Sequence, residues 1–377
     1  MTGAAPKRIL IITTSYPMED EPSGGAAAGA FVEDFGVALA DHCEVHVLAP
    51  GRSKQLGKQV SRYYSGDKPL SNLSISSFLD LLIILRVLMS GTFMSFRLMK
   101  RYRFDHVLCC WVLPSGFWGY LLNKFFGVQY STWALGSDIW SLGKLSLARR
   151  FLRTVLKHAK LNYADGFKLA EDVEELSSRD CSFLPSTRTI KLANEKEVEG
   201  PFNYAFVGRW HENKGADLLC EALCHLSDEE WQQVGTFYVC GDGPQRDQLL
   251  PKFKSLINAG RPIELLGYVD KAQAESVFQD SHFLVIPSRI ESIPVVFSDG
   301  VASLCGIVST PVGDLPRLLQ TYHCGVLLDE VSSDAILKGL STSLQLGNQS
   351  FLTGLHNAQA DFSQQEIVKR YFNEITT

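Results

Sequence analysis

Two basic residues follow an apolar run near the middle of the chain, in FVGRWHENKGADLL at 206–219. The run predicts a strand that ends at Gly208, so that Arg209 follows at its carboxyl end while Lys214 and Gly215 open the next helix. Two cations beside a helix N-terminus form a site suited to a diphosphate, because the helix N–H groups and dipole also favour negative charge. The alternative is an ordinary strand-to-helix turn with solvated Arg and Lys side chains, and these residues alone leave both interpretations open.

Two carboxylates follow a later apolar run, in SRIESIPVVFSDGVA at 288–302. Glu291 is expected in the loop after a buried strand, where Ser292 can cap the next helix and Pro294 fits its first turn. If the stretch is helical, Asp299 lies about 12 Å further along the axis. One carboxylate would then hold a sugar and the other a ribose, with a diphosphate over the N–H groups at the helix start. The alternative is a capping turn followed by a surface Asp.

Three glycine-containing turns, GDGP, GYVD and STPVGD, follow other predicted strands of the same half. Gly243 lies in the first turn, and Tyr268 and Val269 lie in the second, whose backbone could pair with the edge of a nucleobase. Each turn alone is weak evidence. Together they are placed at the carboxyl ends of consecutive strands, which is where open α/β domains bind ligands.

The first half of the chain offers weaker candidates. The Gly/Ala loop PSGGAAAGAFV, which contains Gly25 and Gly29, would let the backbone approach a ligand closely, but it departs from the GxGxxG dinucleotide pattern. LGSDIW follows a predicted strand and places Asp138 either in a loop that faces a cleft or at a helix N-cap.

Short apolar strands alternate with longer helical segments along the chain. This alternation predicts doubly wound α/β domains, which would position these residues. We predict an N-terminal domain over residues 1–190, a C-terminal domain over 191–360, and a helix at 361–377 that crosses back to the first domain. The polar stretch at 181–202, with its Pro and Gly, is the predicted linker. The two Rossmann-like domains would face each other across a cleft. Strands are expected at 8–14, 45–50, 106–112, 128–134 and 161–164, and then at 204–208, 236–241, 263–267, 282–288, 306–310 and 325–329.

Composition, net charge and absent motifs exclude several classes of protein. A chain of 377 residues with 45% hydrophobic residues can form about two buried cores, and a net charge of -5 gives no reason to expect a nucleic-acid partner. The start MTGAAPKRILIITTSYP lacks the order of a signal peptide, and the nine cysteines include no CxxC pair, so we expect a reduced, cytosolic protein. HExxH, GxSxG and P-loop motifs are absent from the sequence, and we expect no bound metal or other cofactor.

The segment at 78–103 is strongly apolar but interrupted by charge. Asp80, Arg86 and Arg97 break the run, which ends in KRYR. This composition suits a helix that lies in the interface of an anionic membrane, and it equally suits an amphipathic helix packed on a sheet. Peripheral attachment to the inner face of the plasma membrane is therefore one of two expectations.

The residues GRWHENKG, GDGP, the GYV turn, and the spacing of Glu291 and Asp299 resemble the retaining glycosyltransferases of family 4. The resemblance covers nearly the whole chain and is most specific at 203–319. It implies the GT-B fold, with Arg209 and Lys214 on the donor diphosphate and Glu291 on the donor sugar. The donor-binding set that it implies is Gly208, Gly243, Tyr268, Val269, Ser292, Ile293, Val295, Val296 and Asp299, and the acceptor-side set is Gly25, Gly29, Cys110, Trp111 and Asp138.

The same resemblance implies a retaining transfer from a nucleotide-sugar, expected to be a UDP-sugar, to a saccharide or lipid-linked acceptor, as in polysaccharide or glycolipid assembly. Three departures from the family pattern stand out: Asp299 replaces a usual Glu, Pro294 replaces a common Gly, and Cys110 lies near the place of a frequent His. Competing expectations are a small soluble acceptor, an epimerase, and a degenerate nucleotide-sugar-binding subunit.

Overall fold

Seven parallel strands form the first sheet. The structure is a computed structural model that describes residues 7–17, 29–52, 54–55, 57–66, 77–190 and 200–377. The strand order is β3-β2-β1-β4-β5-β6-β7, which is the crossover pattern of a doubly wound domain. The strands are β1 (Arg8–Ile12), β2 (Glu44–Gly51), β3 (Val60–Tyr64), β4 (His106–Cys110), β5 (Gln129–Ala134), β6 (Leu161–Ala164) and β7 (Cys181–Phe183).

Helices cover both faces of this sheet, so its strands are apolar on both sides. The adjacent residues Cys109 and Cys110 show this directly, because each lies in a different core cluster. The two thiols therefore point to opposite faces of the sheet. The helices are α1 (Ala30–Leu39), α2 (Phe78–Tyr102), α3 (Ser115–Phe126), α4 (Ser137–Trp140), α5 (Ser146–His158) and α6 (Phe167–Ser177).

The second sheet has six parallel strands in the order β10-β9-β8-β11-β12-β13. Its strands are β8 (Phe202–Val207), β9 (Val234–Cys240), β10 (Ile263–Gly267), β11 (Phe283–Ile286), β12 (Gly306–Ser309) and β13 (Gly325–Leu327). The helices between and after them are α7 (Ala216–Cys224), α8 (Asp228–Trp231), α9 (Arg246–Asn258), α10 (Lys271–Asp280), α11 (Val295–Ala302), α12 (Leu315–Tyr322), α13 (Ser333–Leu346) and α14 (Leu352–Phe362). Two parallel, helix-covered sheets confirm the predicted α/β class with two Rossmann-like domains.

Contacts divide the chain into an N-terminal unit, Met1–Ser186 with Ile367–Thr377, and a C-terminal unit, Thr187–Glu366. The predicted boundaries at 190 and 360 lie a few residues from these divisions. The last helix, α15 (Gln364–Thr376), supplies Ile367 and Tyr371 to the core of the N-terminal unit. The Tyr371 ring lies 5.4 Å from that of Phe35, and its hydroxyl is 3.2 Å from Ser131 Oγ.

Two edge strands were not expected from the sequence. β3 was missed because it follows a polar, glycine-containing stretch, and β7 because three residues are too few to show a period. β7 also lies inside the predicted linker, so the start of that linker is wrong: Cys181–Phe183 pairs with β6. Pairing with a neighbouring strand, rather than local sequence, determines both elements.

Helix α2 is apolar on two sides. Its inner face buries Val87, Met94 and Leu98 in the N-terminal core, as the packed-helix interpretation predicts. Its outer face exposes Leu82, Leu85 and other large apolar side chains. Among the described residues, this is the one helix long and apolar enough to cross a bilayer by length and composition.

Candidate functional site

A cavity of about 210 Å³ lies at the carboxyl ends of the central strands of the second sheet. It is lined by the end of β8, by the segment that follows β11, and by the start of α11. Five of the predicted site residues meet there: Gly208, Lys214, Glu291, Val295 and Val296. Parallel strands bring their carboxyl ends to one edge of a sheet, which is why residues far apart in sequence converge.

Lys214 and Glu291 form an ion pair inside this cavity. The Lys214 Nζ donates to Glu291 Oε1, and the hydroxyl of Ser288 donates to the same oxygen at 3.0 Å. The Glu291 side chain is 11% exposed and that of Lys214 38%. The two groups that the sequence assigned to separate parts of a ligand are therefore direct neighbours, and Ser288 is an additional site residue.

The turn that presents Lys214 is fixed by its neighbours. A 3₁₀ turn covers Glu212–Lys214, and the Nδ1 of His211 accepts from the Asn213 N–H at 3.2 Å at its start. Gly215 follows with φ +69°, and a Cβ there would overlap the carbonyl oxygen of Pro287. Only glycine permits both this conformation and this approach. Gly215 therefore allows the turn to lie directly against the segment that follows β11.

A second ion pair joins the Lys214 turn to the Glu291 loop. The guanidinium of Arg289 makes a bidentate contact with Asp217 in α7, with N–O distances of 2.8 and 2.6 Å. It also donates to the carbonyl of Glu212 at 2.7 Å, and the Arg289 N–H donates to the carbonyl of Asn213 at 2.8 Å. Burial opposes ionisation of Asp217, but the Arg289 contact dominates and lowers the pKa of Asp217. We call Arg289 and Asp217 the clamp.

The Glu291 loop is also held from its other side. Gly313, with φ +55°, lies so close that a Cβ would overlap the carbonyl oxygens of Glu291 and Ser292. The Asp314 N–H donates to the Ser292 carbonyl at 3.2 Å. The hydroxyl of Thr310 donates to the carbonyl of Ser288 at 2.6 Å. The carboxylate of Glu291 is therefore presented on a loop whose backbone is fixed at several points.

Helix α11 begins later than the sequence predicted. Pro294 is its N-cap, in extended conformation, so it is one residue short of the first turn. The prediction that Ser292 caps the helix is wrong: its Oγ is buried and has no hydrogen-bond partner among the described residues. Val295 and Val296 line the cavity with the first turn of the helix, whose N–H groups have no acceptor within a helix.

Asp299 lies within α11 and pairs with Arg188. The two carboxylate oxygens accept from the guanidinium, from Nε at 3.3 Å and from Nη2, and the Asp299 side chain is 0% exposed. A helical path from Glu291 to Asp299 is not present, because residues 291–294 are not helical. A ribose could reach this carboxylate only if Arg188 moved.

Other predicted donor residues lie outside the cavity lining. Arg209 is exposed and has no ion-pair partner among the residues that the structure describes. Tyr268 is exposed and Val269 half-buried, whereas Ile293 is buried. Gly243 is half-buried, and its N–H donates to the Asp242 carboxylate at 2.7 Å. Burial raises the pKa of Tyr268, and the nearby Arg188 charge opposes that rise.

The predicted acceptor-side residues agree less well with the structure. Cys110 is fully buried in the core beside Trp133, and burial raises the pKa of its thiol well above the ordinary value, so its predicted acceptor contact is wrong. Asp138 lies in α4 rather than in a loop and is 2% exposed. Its carboxylate accepts from the N–H groups of Val112 at 2.6 Å and Leu135 at 3.2 Å.

Burial raises the pKa of Asp138 to about 6, although those backbone N–H groups oppose the rise. This side chain therefore ties together two segments that follow neighbouring strands. Trp111 is half-buried after β4 with φ +64°, a conformation rare for bulky residues and often found near functional sites. Gly29 is the buried N-cap of α1, and Gly25 lies outside the described residues.

Within the part of the chain that the structure describes, three or more His, Cys, Asp or Glu side chains are nowhere grouped in a way that could hold a metal ion. Eight of the nine cysteines are buried. Cys224 is the exception on the helix face it shares with Cys220, because it is exposed.

The residues that line the cavity lie within a region that matches a known protein family. The family described as "Glycosyl transferases group 1" matches residues 201–345. A Campylobacter jejuni protein named as an α-1,4-N-acetyl-D-galactosaminyltransferase acting on a PP-undecaprenol-linked saccharide is 29% identical over 153 residues, 40% of each chain. The chain spans about half the length of the curated relatives it matches.

Two solved structures match the fold over 98% of the chain. Sucrose-phosphate synthase from Thermosynechococcus elongatus has a TM-score of 0.72 at 17% identity, and 98% of it is covered. HepE from Anabaena, in complex with UDP, has a TM-score of 0.66 at 15% identity, and 99% of it is covered. The family match over the second sheet shows that this part of the chain is similar to the group 1 glycosyltransferases, and the likeness across both units shows the GT-B fold.

Proposed function

We propose that this protein transfers a sugar from a nucleotide-sugar, a UDP-sugar by preference, to a saccharide or lipid-linked acceptor in the cytoplasm, as in polysaccharide or glycolipid assembly. The observation that carries the proposal is the cavity in which Lys214, Glu291 and the first turn of α11 converge at the carboxyl ends of the strands. The Campylobacter relative supports a lipid-linked acceptor through its name, and the UDP complex of HepE supports the base.

The proposed roles follow from the chemistry of the cavity. Lys214 binds the donor diphosphate together with the N–H groups of Val295 and Val296, and Arg209 adds charge from the exposed end of β8. Glu291 accepts hydrogen bonds from the donor sugar. When the acceptor oxygen bonds to the anomeric carbon, the bond from that carbon to the phosphate oxygen breaks. The leaving diphosphate takes the acceptor's proton, so both events occur on one face and the configuration is retained.

A donor-hydrolysis screen tests this function. The full chain is incubated with a panel of nucleotide-sugars, with and without a chelator, and released nucleotide is measured. We expect one UDP-sugar to be hydrolysed above the others in both conditions. Nucleotide binding without release would favour a non-catalytic subunit, and interconversion of sugars without release would favour an epimerase. Turnover lost with the chelator would contradict the expectation that no bound metal is required.

The clamp should position both catalytic groups. Arg289→Lys keeps the charge but loses the bidentate contact with Asp217, so the Lys214 turn and the Glu291 loop lose their common support. We expect kcat to fall on the order of 10-fold, below the ~10²-fold cost of an ångström-scale misplacement, with a smaller change in KM. Steady-state kinetics of Arg289→Lys, Asp217→Asn and the double variant measure this.

The double variant should be no worse than the worse single variant, because the two residues act as one unit. The exposed pair Lys338–Asp329 in the same unit provides a matched control, and Asp329→Asn should leave kcat unchanged. A fall in thermal stability with kcat retained would assign the clamp a purely structural role.

The Arg188–Asp299 pair should affect nucleotide binding. Asp299→Asn removes the carboxylate charge from the pair with the mostly buried Arg188, and breaking such a pair costs about 3–5 kcal/mol of stability. If Asp299 reads the ribose, UDP affinity should fall roughly 10-fold or more, as for loss of a hydrogen bond to a charged group. Equilibrium binding of UDP and 2′-deoxy-UDP to the wild-type chain and the variant measures both effects.

If the variant fails to fold, the wild-type chain alone still shows whether the ribose hydroxyl is read. Discrimination against 2′-deoxy-UDP supports a contact with the hydroxyl, and its loss in Asp299→Asn assigns that contact to this residue. Equal binding of both nucleotides by the wild-type chain would show that the ribose hydroxyl is not read.

A further inference from the structure

Large apolar side chains are exposed mainly on one layer of helices in the N-terminal unit. Of the 19 large hydrophobic residues that are exposed among the described residues, 12 lie on α2, at the end of α3, or on α5 and the residue before it. Monomeric soluble proteins rarely expose apolar side chains in such a concentrated group. We call this surface the outer helical face, and its members are Phe78, Leu79, Leu81, Leu82, Leu85, Met89, Phe93, Phe125, Phe126, Leu145, Leu147 and Phe151.

The three helices form one continuous layer. α3 packs between α2 and α5, and residues from all three contribute to the same core cluster under them. The Phe96 ring on α2 lies 5.4 Å from that of Phe125 on α3, and the Phe117 ring lies 6.5 Å from that of Phe151 on α5. The exposed residues therefore belong to one surface.

The stripe on α2 is regular. Phe78, Leu82, Leu85, Met89 and Phe93 are spaced by three or four residues, which places them on one side of the helix over about 22 Å. The buried residues of α2 lie on the opposite side. Packing in the N-terminal core therefore explains the inner side of α2 but not the outer side, where the structure describes Lys54 Nζ 4.9 Å from the centre of the Phe93 ring.

Charge on this layer is predominantly positive. The helices carry four Lys and Arg residues on α2, one on α3 and four on α5, against a single acidic residue, Asp80. The chain as a whole has a net charge of -5. Positive charge is therefore concentrated where the exposed apolar side chains are.

We infer that the outer helical face docks onto an anionic lipid bilayer, with the apolar side chains of α2 and α5 in the interface and the cations at the headgroups. The sequence pattern pointed to α2 alone, and the structure adds α3 and α5. A second copy of the chain is disfavoured as the occupant, because a two-fold contact would bring like charges together. The inference does not depend on the proposed sugar transfer.

Vesicle binding tests the inference with the full-length chain in the absence of donor. We expect partition onto vesicles that contain phosphatidylglycerol, with weaker binding to pure phosphatidylcholine and weaker binding at high salt. The variant Arg149→Gln, Arg150→Gln, Lys157→Gln should lower partition onto anionic vesicles roughly 100-fold. A matched control with equal charge loss on the C-terminal unit, Lys254→Gln, Lys271→Gln, Lys338→Gln, should bind like the wild type.

A second variant tests the apolar component. Leu82→Ser, Leu85→Ser, Met89→Ser changes exposed residues only, so it should fold and bind both vesicle types less well. Equal partition onto neutral and anionic vesicles, no partition onto either, or equal loss in the α5 variant and its control would overturn the inference. Self-association that the same apolar variant abolishes would assign the face to a second copy. Donor hydrolysis without added lipid, measured in parallel, reports the proposed activity separately.

Discussion

Lys214→Ala should lower the turnover number by about 10²- to 10³-fold, which is the typical cost of removing one preorganised donor to developing charge. The ammonium group lies in the cavity beside Glu291 and is the cation that lines it together with the start of α11. Charge on a leaving diphosphate grows in the transition state. Loss of this cation should therefore lower kcat more than it raises KM.

Initial rates of nucleotide release with a saturating donor measure the effect, and thermal denaturation measures the accompanying loss of stability. Glu291 keeps its hydrogen bond from Ser288 in the variant, so the fold should persist. Lys338→Ala removes an exposed, ion-paired lysine of the same unit and should leave the rate unchanged. A rate within a few-fold of wild type would remove Lys214 from the mechanism.

Arg209→Ala provides a comparison in the same series. Its side chain is exposed and lies outside the cavity lining, so we expect a loss in the same direction but smaller than that of Lys214→Ala. Near-normal turnover in both variants would reject the diphosphate assignment as a whole.

Glu291→Gln should reduce sugar transfer by about 10²-fold or more while nucleotide affinity is retained or increased. The first effect follows if the carboxylate accepts from hydroxyls of the reacting sugar, because such a contact counts where it strengthens in the transition state. The second follows from the ion pair: the neutral amide releases Lys214, whose charge is then available to a diphosphate. The substitution should therefore separate the two activities in opposite directions.

Single-turnover rates and equilibrium dialysis of UDP measure the two quantities independently. Glu212→Gln is a suitable control, since this exposed side chain lies in the same turn as Lys214 and the contact of Glu212 with Arg289 is through the backbone carbonyl. If UDP affinity falls as much as turnover does, Glu291 acts on the nucleotide and its assignment to the sugar is wrong.

The architecture could largely be predicted from the sequence, because buried parallel strands appear as short continuous apolar runs. The runs at 106–112 and 282–288, for example, correspond to β4 and β11. The edge strands β3 and β7 could not be predicted in this way, since their conformation depends on pairing with neighbouring strands. The sequence also could not show that α2 has one buried and one exposed apolar face, because burial of one face does not exclude exposure of another.

The candidate site was predicted in part for the same reason. Lys214 and Glu291 lie in the connections that follow predicted strands, so their convergence could be expected from the topology. The contact of Arg289 with Asp217 spans 72 residues and leaves no local pattern in the sequence. Cys110 was assigned to the acceptor side because it lies near the place of a frequent His in the family pattern, although the pleat turns its side chain into the core.

The position of α15 imposes an order on folding during synthesis. Ile367, Val368 and Tyr371 fill the core on the Phe35 side of the N-terminal sheet, yet they are translated after the whole C-terminal unit. At 5–20 residues per second, the ribosome needs roughly 10 to 40 s to pass from the end of β7 to α15. Through that interval the sheet that is made first carries an uncovered apolar groove, and the nascent N-terminal unit reaches its final packing only after the unit encoded downstream has emerged.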